Sequence, residues 1–134
     1  MLGHYLLFNR TCAEALSFYE KVFDTKIVEM GKYGDMPANP AFPISEEDKG
    51  LVLHSRIVID GTELMCADAS NGSTSSDNMY VSLMTQDAEL VQKAWDRLKE
   101  GGHIYLDLSP SFFAVLHGSL QDKFGINWMF TASK

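Results

Sequence analysis

At 134 residues, with 46% hydrophobic and 22% charged side chains, the chain has the size and composition of one ordinary domain that buries a core without disulfide or metal staples. Eleven Lys and Arg against 18 Asp and Glu give a formal charge of −7, which repels phosphate backbones and anionic lipid and argues against nucleic-acid and membrane partners. The two cysteines, Cys12 and Cys66, have neither metal-type nor redox-motif spacing, and no basic segment plus apolar run opens the chain, so the expectation is a soluble cytoplasmic protein with free thiols.

His4 to Asn9 is a short apolar run and reads as a buried strand. Thr11-Cys12-Ala13-Glu14 has the form of a capping box. The helix it opens carries Ala15, Leu16, Tyr19, Val22 and Phe23 on one stripe and ends near Asp24. Lys26 to Met30 is a second strand. Residues 31–50 hold three prolines (Pro37, Pro40, Pro43) and the acidic run Glu46-Glu47-Asp48 and read as a long loop: a lid, an oligomer contact or a solvated excursion. Leu51 to Ile59 and Thr62 to Ala67 are strands joined by Asp60-Gly61, a hairpin signal because a type I′ turn needs positive φ at both central residues. Residues 69–77 are a polar linker.

The order then repeats. Met79 to Thr85 reads as a strand, and Asp87 caps a helix through Glu100 with the stripe Ala88, Val91, Trp95 and Leu98, closed by Gly101-Gly102. Strands follow at His103 to Leu108, Phe112 to Leu120 and Ile126 to Thr131. The expected fold is therefore α+β, one domain over 1–134. It has two βαβββ modules, about 1–68 and 78–134, each with a helix on one sheet face and the other face turned to a concave cleft.

Alternation across the Asp60-Gly61 hairpin sets Glu63 opposite Val58, Met65 opposite Arg56 and Ala67 opposite His54, all on one face. Ile57, Ile59, Leu64 and Cys66 fall on the other. His54, Arg56 and Glu63 are thus expected to line the cleft, and His4, Leu6 and Phe8 are assigned to the same face. The bland alternatives are an exposed Arg56–Glu63 ion pair, a solvent-exposed His4, and a hydrogen-bonded strand-end His54.

Several segments, in order along the chain, resemble the PhnB-like branch of the glyoxalase/bleomycin-resistance (vicinal oxygen chelate) superfamily. They are Tyr5-Leu6-Leu7-Phe8-Asn9, the run Glu14 to Phe23, His54, Leu64-Met65-Cys66-Ala67-Asp68, and Gln121-Asp122-Lys123-Phe124-Gly125-Ile126-Asn127-Trp128-Met129. The resemblance implies paired βαβββ modules forming a glyoxalase-like mixed sheet, and a homodimer. Metal-dependent members of the superfamily place one ligand on the first and one on the last strand of each half, around a divalent cation that stabilises an enediolate-like anion. His4 and Glu63 resemble the first-half pair. In the second half the corresponding positions fall on Tyr80 or its neighbour and on Met129 or Trp128, so the set is incomplete. Phe112 and Phe113 stand where relatives tend to carry a Trp near the site, and Tyr80, Phe113 and Trp128 are expected to add aromatic walls to the cleft. His103 and His117 read as loop or strand-surface residues.

The expected function is binding of a small, hydrophobic or planar molecule in a dimeric cleft, without a complete metal-ligand set. The alternatives are a metal-dependent lyase, isomerase or dioxygenase using His4 and Glu63, and a dimeric scaffold with a vestigial cleft. Whether the chain is an enzyme stays open. Relatives are sometimes labelled methyltransferases, but no Gly-rich nucleotide loop follows the first strand.

Overall fold

In the computed structural model, which describes residues 1–134, the chain divides into two compact units. The first comprises Met1–Glu20 and Thr25–Ser73, and the second Lys21–Asp24 and Thr74–Lys134. The last turn of the first helix is grouped with the second unit.

The first unit contains β1 (His4–Phe8), α1 (Cys12–Phe23), β2 (Ile27–Lys32), β3 (Val52–Ile59) and β4 (Thr62–Asp68). Its sheet has the order β1-β4-β3-β2, with β1 parallel to β4 and the other pairs antiparallel. The Asp60-Gly61 turn has φ of 49° and 76°, as a type I′ hairpin requires. Ala15, Leu16 and Tyr19 are buried against a sheet face carrying Phe8, Ile57, Ile59, Leu64 and Cys66, and Val22 is buried as well. Phe23, expected in the core, is only half-buried. Two 3-10 turns, Tyr33–Asp35 and Glu46–Asp48, break up the long 31–50 segment. Its two arms are tied by Tyr33 N–H to Leu51 O and Gly34 N–H to Lys49 O, both at 3.0 Å.

The helix start is held from a distance. Asp68, buried at the end of β4, accepts from Cys12 N–H and from Val52 N–H, both at 2.9 Å. One carboxylate thus satisfies an orphan amide at the N-terminus of α1 and an amide at the start of β3.

The second unit repeats the plan with β5 (Val81–Thr85), α2 (Ala88–Leu98), β6 (His103–Ser109), β7 (Leu116–Gln121) and β8 (Asn127–Ala132), in the sheet order β5-β8-β7-β6. Asp87 caps α2 by accepting from Leu90 N–H at 3.1 Å, and Gly101, at φ 71°, ends it. Val91, Ala94, Trp95 and Leu98 are buried on the sheet, with Trp95 edge-on to Phe130. The strand expected over Phe112 to Leu120 begins only at Leu116. Ser111 closes a turn instead, its amide donating to Ala114 O and its hydroxyl accepting from Ala114 N–H, which leaves Phe112 exposed.

Gln121 to Trp128, the most distinctive run in the sequence, is turn chemistry. The Asp122 carboxylate accepts from Phe124 N–H, Ile126 N–H and Trp128 Nε1–H at 2.8–3.1 Å, while Gly125 takes a φ of 90°. The motif therefore builds the β7–β8 corner and anchors Trp128 in the core.

Candidate functional site

Each sheet has a face that carries no helix of its own module. In the first module the observed register puts Tyr5, Leu7, Arg56, Val58, Glu63, Met65 and Ala67 there, and strand alternation adds His54. Tyr5, Met65, Arg56 and Glu29 form one row across all four strands: Tyr5 pairs with Met65, Met65 with Arg56, and Arg56 with Glu29. Tyr5 and Leu7 are about half exposed, at 53% and 49%, so apolar surface stands open at the β1 end of the row.

The β2–β3 end is polar. Arg56 donates to Glu29 Oε2 through Nε at 3.2 Å and Nη2 at 2.8 Å, and to Glu63 Oε2 through Nη1 at 2.8 Å. His54 Nδ1 lies 3.3 Å from Glu29 Oε1. Its imidazole rests over Gly31, where a Cβ would come within 2.9 Å of Nε2, so only glycine leaves the ring its place. The carboxylates beside Arg56 hold its guanidinium above even its ordinary high range. All of these groups are partly solvated, so the pairs position side chains more than they stabilise the fold.

Of the expected site residues, the structure brings His54, Arg56 and Glu63 together. It does not bring His4. The parallel pairing of His4 with Leu64 turns His4, Leu6 and Phe8 to the helix side, opposite Glu63. The proposed metal pair of His4 and Glu63 therefore lies on two different faces and cannot share an ion. Alternation alone fixes parity within a strand but not between a first strand and its distant partner, and the two possible registers differ by a full exchange of faces.

Trp128 is likewise corrected. It is buried on the helix side, 5.3 Å from the Phe23 ring, and lines no open face. Tyr80 precedes β5 and meets Tyr105 edge-on at 6.0 Å. Phe113 is half exposed and meets His117 at 4.9 Å.

Glu29 escapes the sequence reading, and His117 is read there only as a loop or strand-surface residue. A bulge between Ile27 and Glu29 shifts parity in β2, so Glu29 pairs with Arg56 and joins the helix-free face. No sequence signal marks that bulge. His117 lies on the corresponding face of the second module, with Nδ1 3.0 Å from Thr131 Oγ1. The matching registers make it the equivalent of His54, with Ser119 for Arg56, Met129 for Met65 and Asn127 for Glu63.

Those equivalences test the superfamily's metal chemistry on the donor set. On the helix-free faces the first strands offer Tyr5 and Leu7 in one module and Ser82 and Met84 in the other. The last strands offer Glu63, whose Oε2 is held by Arg56, and Asn127, whose amide is spent. Asn127 donates to Ser76 O and Met79 O and accepts from Tyr105 Oη–H and Gln121 Nε2–H. This set does not fit a catalytic divalent cation. Nor do the thiols offer a nucleophile: burial pushes Cys66 up to about 12 and Cys12 up further, so both stay protonated at neutral pH.

Two βαβββ modules, each a four-stranded mixed sheet with one helix, define the glyoxalase-like fold of the vicinal oxygen chelate superfamily. The fosfomycin resistance protein FosX of Listeria monocytogenes shares that fold at 12% identity and TM-score 0.67, over 100% of this chain and 93% of its own. The model of the family described as 3-demethylubiquinone-9 3-methyltransferase matches residues 2–131, and the chain belongs to that PhnB-like family. It is 26% identical over 140 residues to Protein YjdN of Escherichia coli K12, across 99% of this chain and 95% of that protein. Protein PA1353 of Pseudomonas aeruginosa is similar at 27% identity and TM-score 0.84, over 98% and 96% of the two chains. A Bacillus cereus protein described as PhnB is similar at 26% and 0.76, over 97% of each. No helix is long and apolar enough to cross a membrane.

Proposed function

We propose that this PhnB-like protein binds a small, apolar or planar molecule on the helix-free face of its first module, within a homodimer. The observation that carries the reading is the row Tyr5–Met65–Arg56–Glu29, which runs from exposed apolar side chains to a fixed polar cluster. Neighbouring strands are about 4.8 Å apart, so the row spans about 14 Å, and a two-ring molecule covers its apolar half and reaches towards the polar end. Aromatic and thioether surface beside a few oriented polar groups is the usual make-up of a small-molecule site. Exposed Ile104, Leu106, Phe112 and Phe113 supply apolar surface for pairing, and light scattering at twice the 15.0 kDa chain mass tests the dimer.

Methyl transfer, which the family's description names, draws no support from the site. The turn after β1 is Asn9-Arg10-Thr11, with Arg10 at φ 68°, where a nucleotide-binding turn presents glycine amides.

The test is a thermal-shift screen of planar apolar molecules. A ligand at ten times its Kd is expected to add about 1.4 kcal/mol and raise the melting temperature by about 4 °C. Tyr5→Ser, at an exposed position, should lose most of that rise. Shifts that persist unchanged in Tyr5→Ser, or a screen that yields none, would overturn the reading.

A further inference from the structure

We infer that the site selects molecules bearing a cationic or hydrogen-bond-donating group and disfavours anions such as carboxylates and phosphonates. The inference rests on the proposed binding role of this face. Arg56 is the arginine that the strand register places there, and it is already engaged. Its Nε and Nη2 are directed at Glu29 and its Nη1 at Glu63. Three of the five N–H donors of the guanidinium are spent on these carboxylates, so an incoming anion would compete for the remaining two while lying beside two like charges. Two carboxylates against one guanidinium leave a net negative charge over the cluster, which repels an anion and attracts a cation.

The cluster also has acceptor capacity left. Glu63 Oε2 is held by Arg56, but Glu63 Oε1 accepts nothing from the chain, and the side chain is 38% exposed. A donor reaching Glu63 Oε1 would be held by a charge-assisted hydrogen bond. Glu63 lies two residues before Met65 on the same face of β4, so a ring resting on Tyr5 and Met65 brings a one- or two-carbon amine arm to the carboxylate. His54 is steered by Glu29 and seated over Gly31, and it borders the cluster.

The experiment uses matched pairs with one ring and opposite charge: tryptamine and indole-3-acetate, phenethylamine and phenylacetate, with indole as the neutral reference. Binding to the full chain is read by amide shifts in two-dimensional NMR titrations. Each amine is expected to bind at least about fivefold more tightly than its acid. In Glu63→Gln that preference should fall to about twofold or less. Acids binding as well as amines, or a preference that survives Glu63→Gln, would overturn the inference and leave small-molecule binding in place. If indole and both pairs leave the helix-free face unshifted, the inference and the binding role fall together. Should Glu63→Gln prove unfolded by its amide spectrum, Glu29→Gln carries the same test from the other side of Arg56.

Discussion

Replacing Asp68 with alanine is expected to cost about 3–5 kcal/mol of folding stability. The carboxylate is buried and accepts from two amides far apart in sequence, Cys12 N–H and Val52 N–H. Hydrogen bonds to a charged group contribute about 1.5–3 kcal/mol each, and deleting the acceptor leaves buried donors without partners. The loss falls on the start of α1 and the start of β3 at once, so the first module should loosen as a whole. Asp68→Asn keeps the shape and one acceptor but turns an NH2 donor towards an N–H donor, so its cost should lie between alanine and wild type. Urea unfolding measures both. A loss below about 1 kcal/mol for Asp68→Ala would mean that water replaces the carboxylate and the tie is dispensable.

Leu98→Ala should cost about 2–5 kcal/mol, through lost apolar burial and the cavity left behind. Leu98 is fully buried in the last turn of α2, on the stripe with Val91, Ala94 and Trp95. The effect belongs to the second module, remote in sequence from Asp68. In the double variant the two losses should add to within about 0.5 kcal/mol if the chain unfolds in one step. A loss under about 0.5 kcal/mol for Leu98→Ala would place that stripe outside the core.

The fold was legible because its signals are local. The Asp60-Gly61 turn, the Asp87 cap and the stripes of α1 and α2 each depend on neighbours within a few residues, and each is found where the sequence puts it, Phe23 and Ala88 at the stripe ends excepted. The hairpin also fixed Arg56 and Glu63 on one face, since a two-residue turn leaves no freedom in register. What failed depends on contacts that sequence does not encode locally. His4 was assigned to the wrong face because the pairing of β1 with β4 joins residues 60 apart and its register has no turn to set it. Glu29 was overlooked because a single-residue bulge exchanges faces in β2. Trp128 looked like a cleft aromatic, but Asp122 holds its indole N–H on the helix side. The second-module equivalent of Glu63 is Asn127 rather than Met129 or Trp128, because helix stripes give a coarser alignment of the two modules than strand registers do.

On the proposed function, a small molecule occupies the helix-free face of the first module. Amide and methyl shifts in the full chain, titrated with the tightest ligand from the thermal-shift screen, test it most directly. Tyr5, Leu7, Met65, Arg56 and Glu63 are expected to move together and saturate at one ligand per chain, while Phe8, Leu64 and Cys66 on the helix side stay nearly still. Saturable shifts centred on His4 and the helix side, with the Tyr5–Met65–Arg56–Glu29 row unmoved, would contradict it.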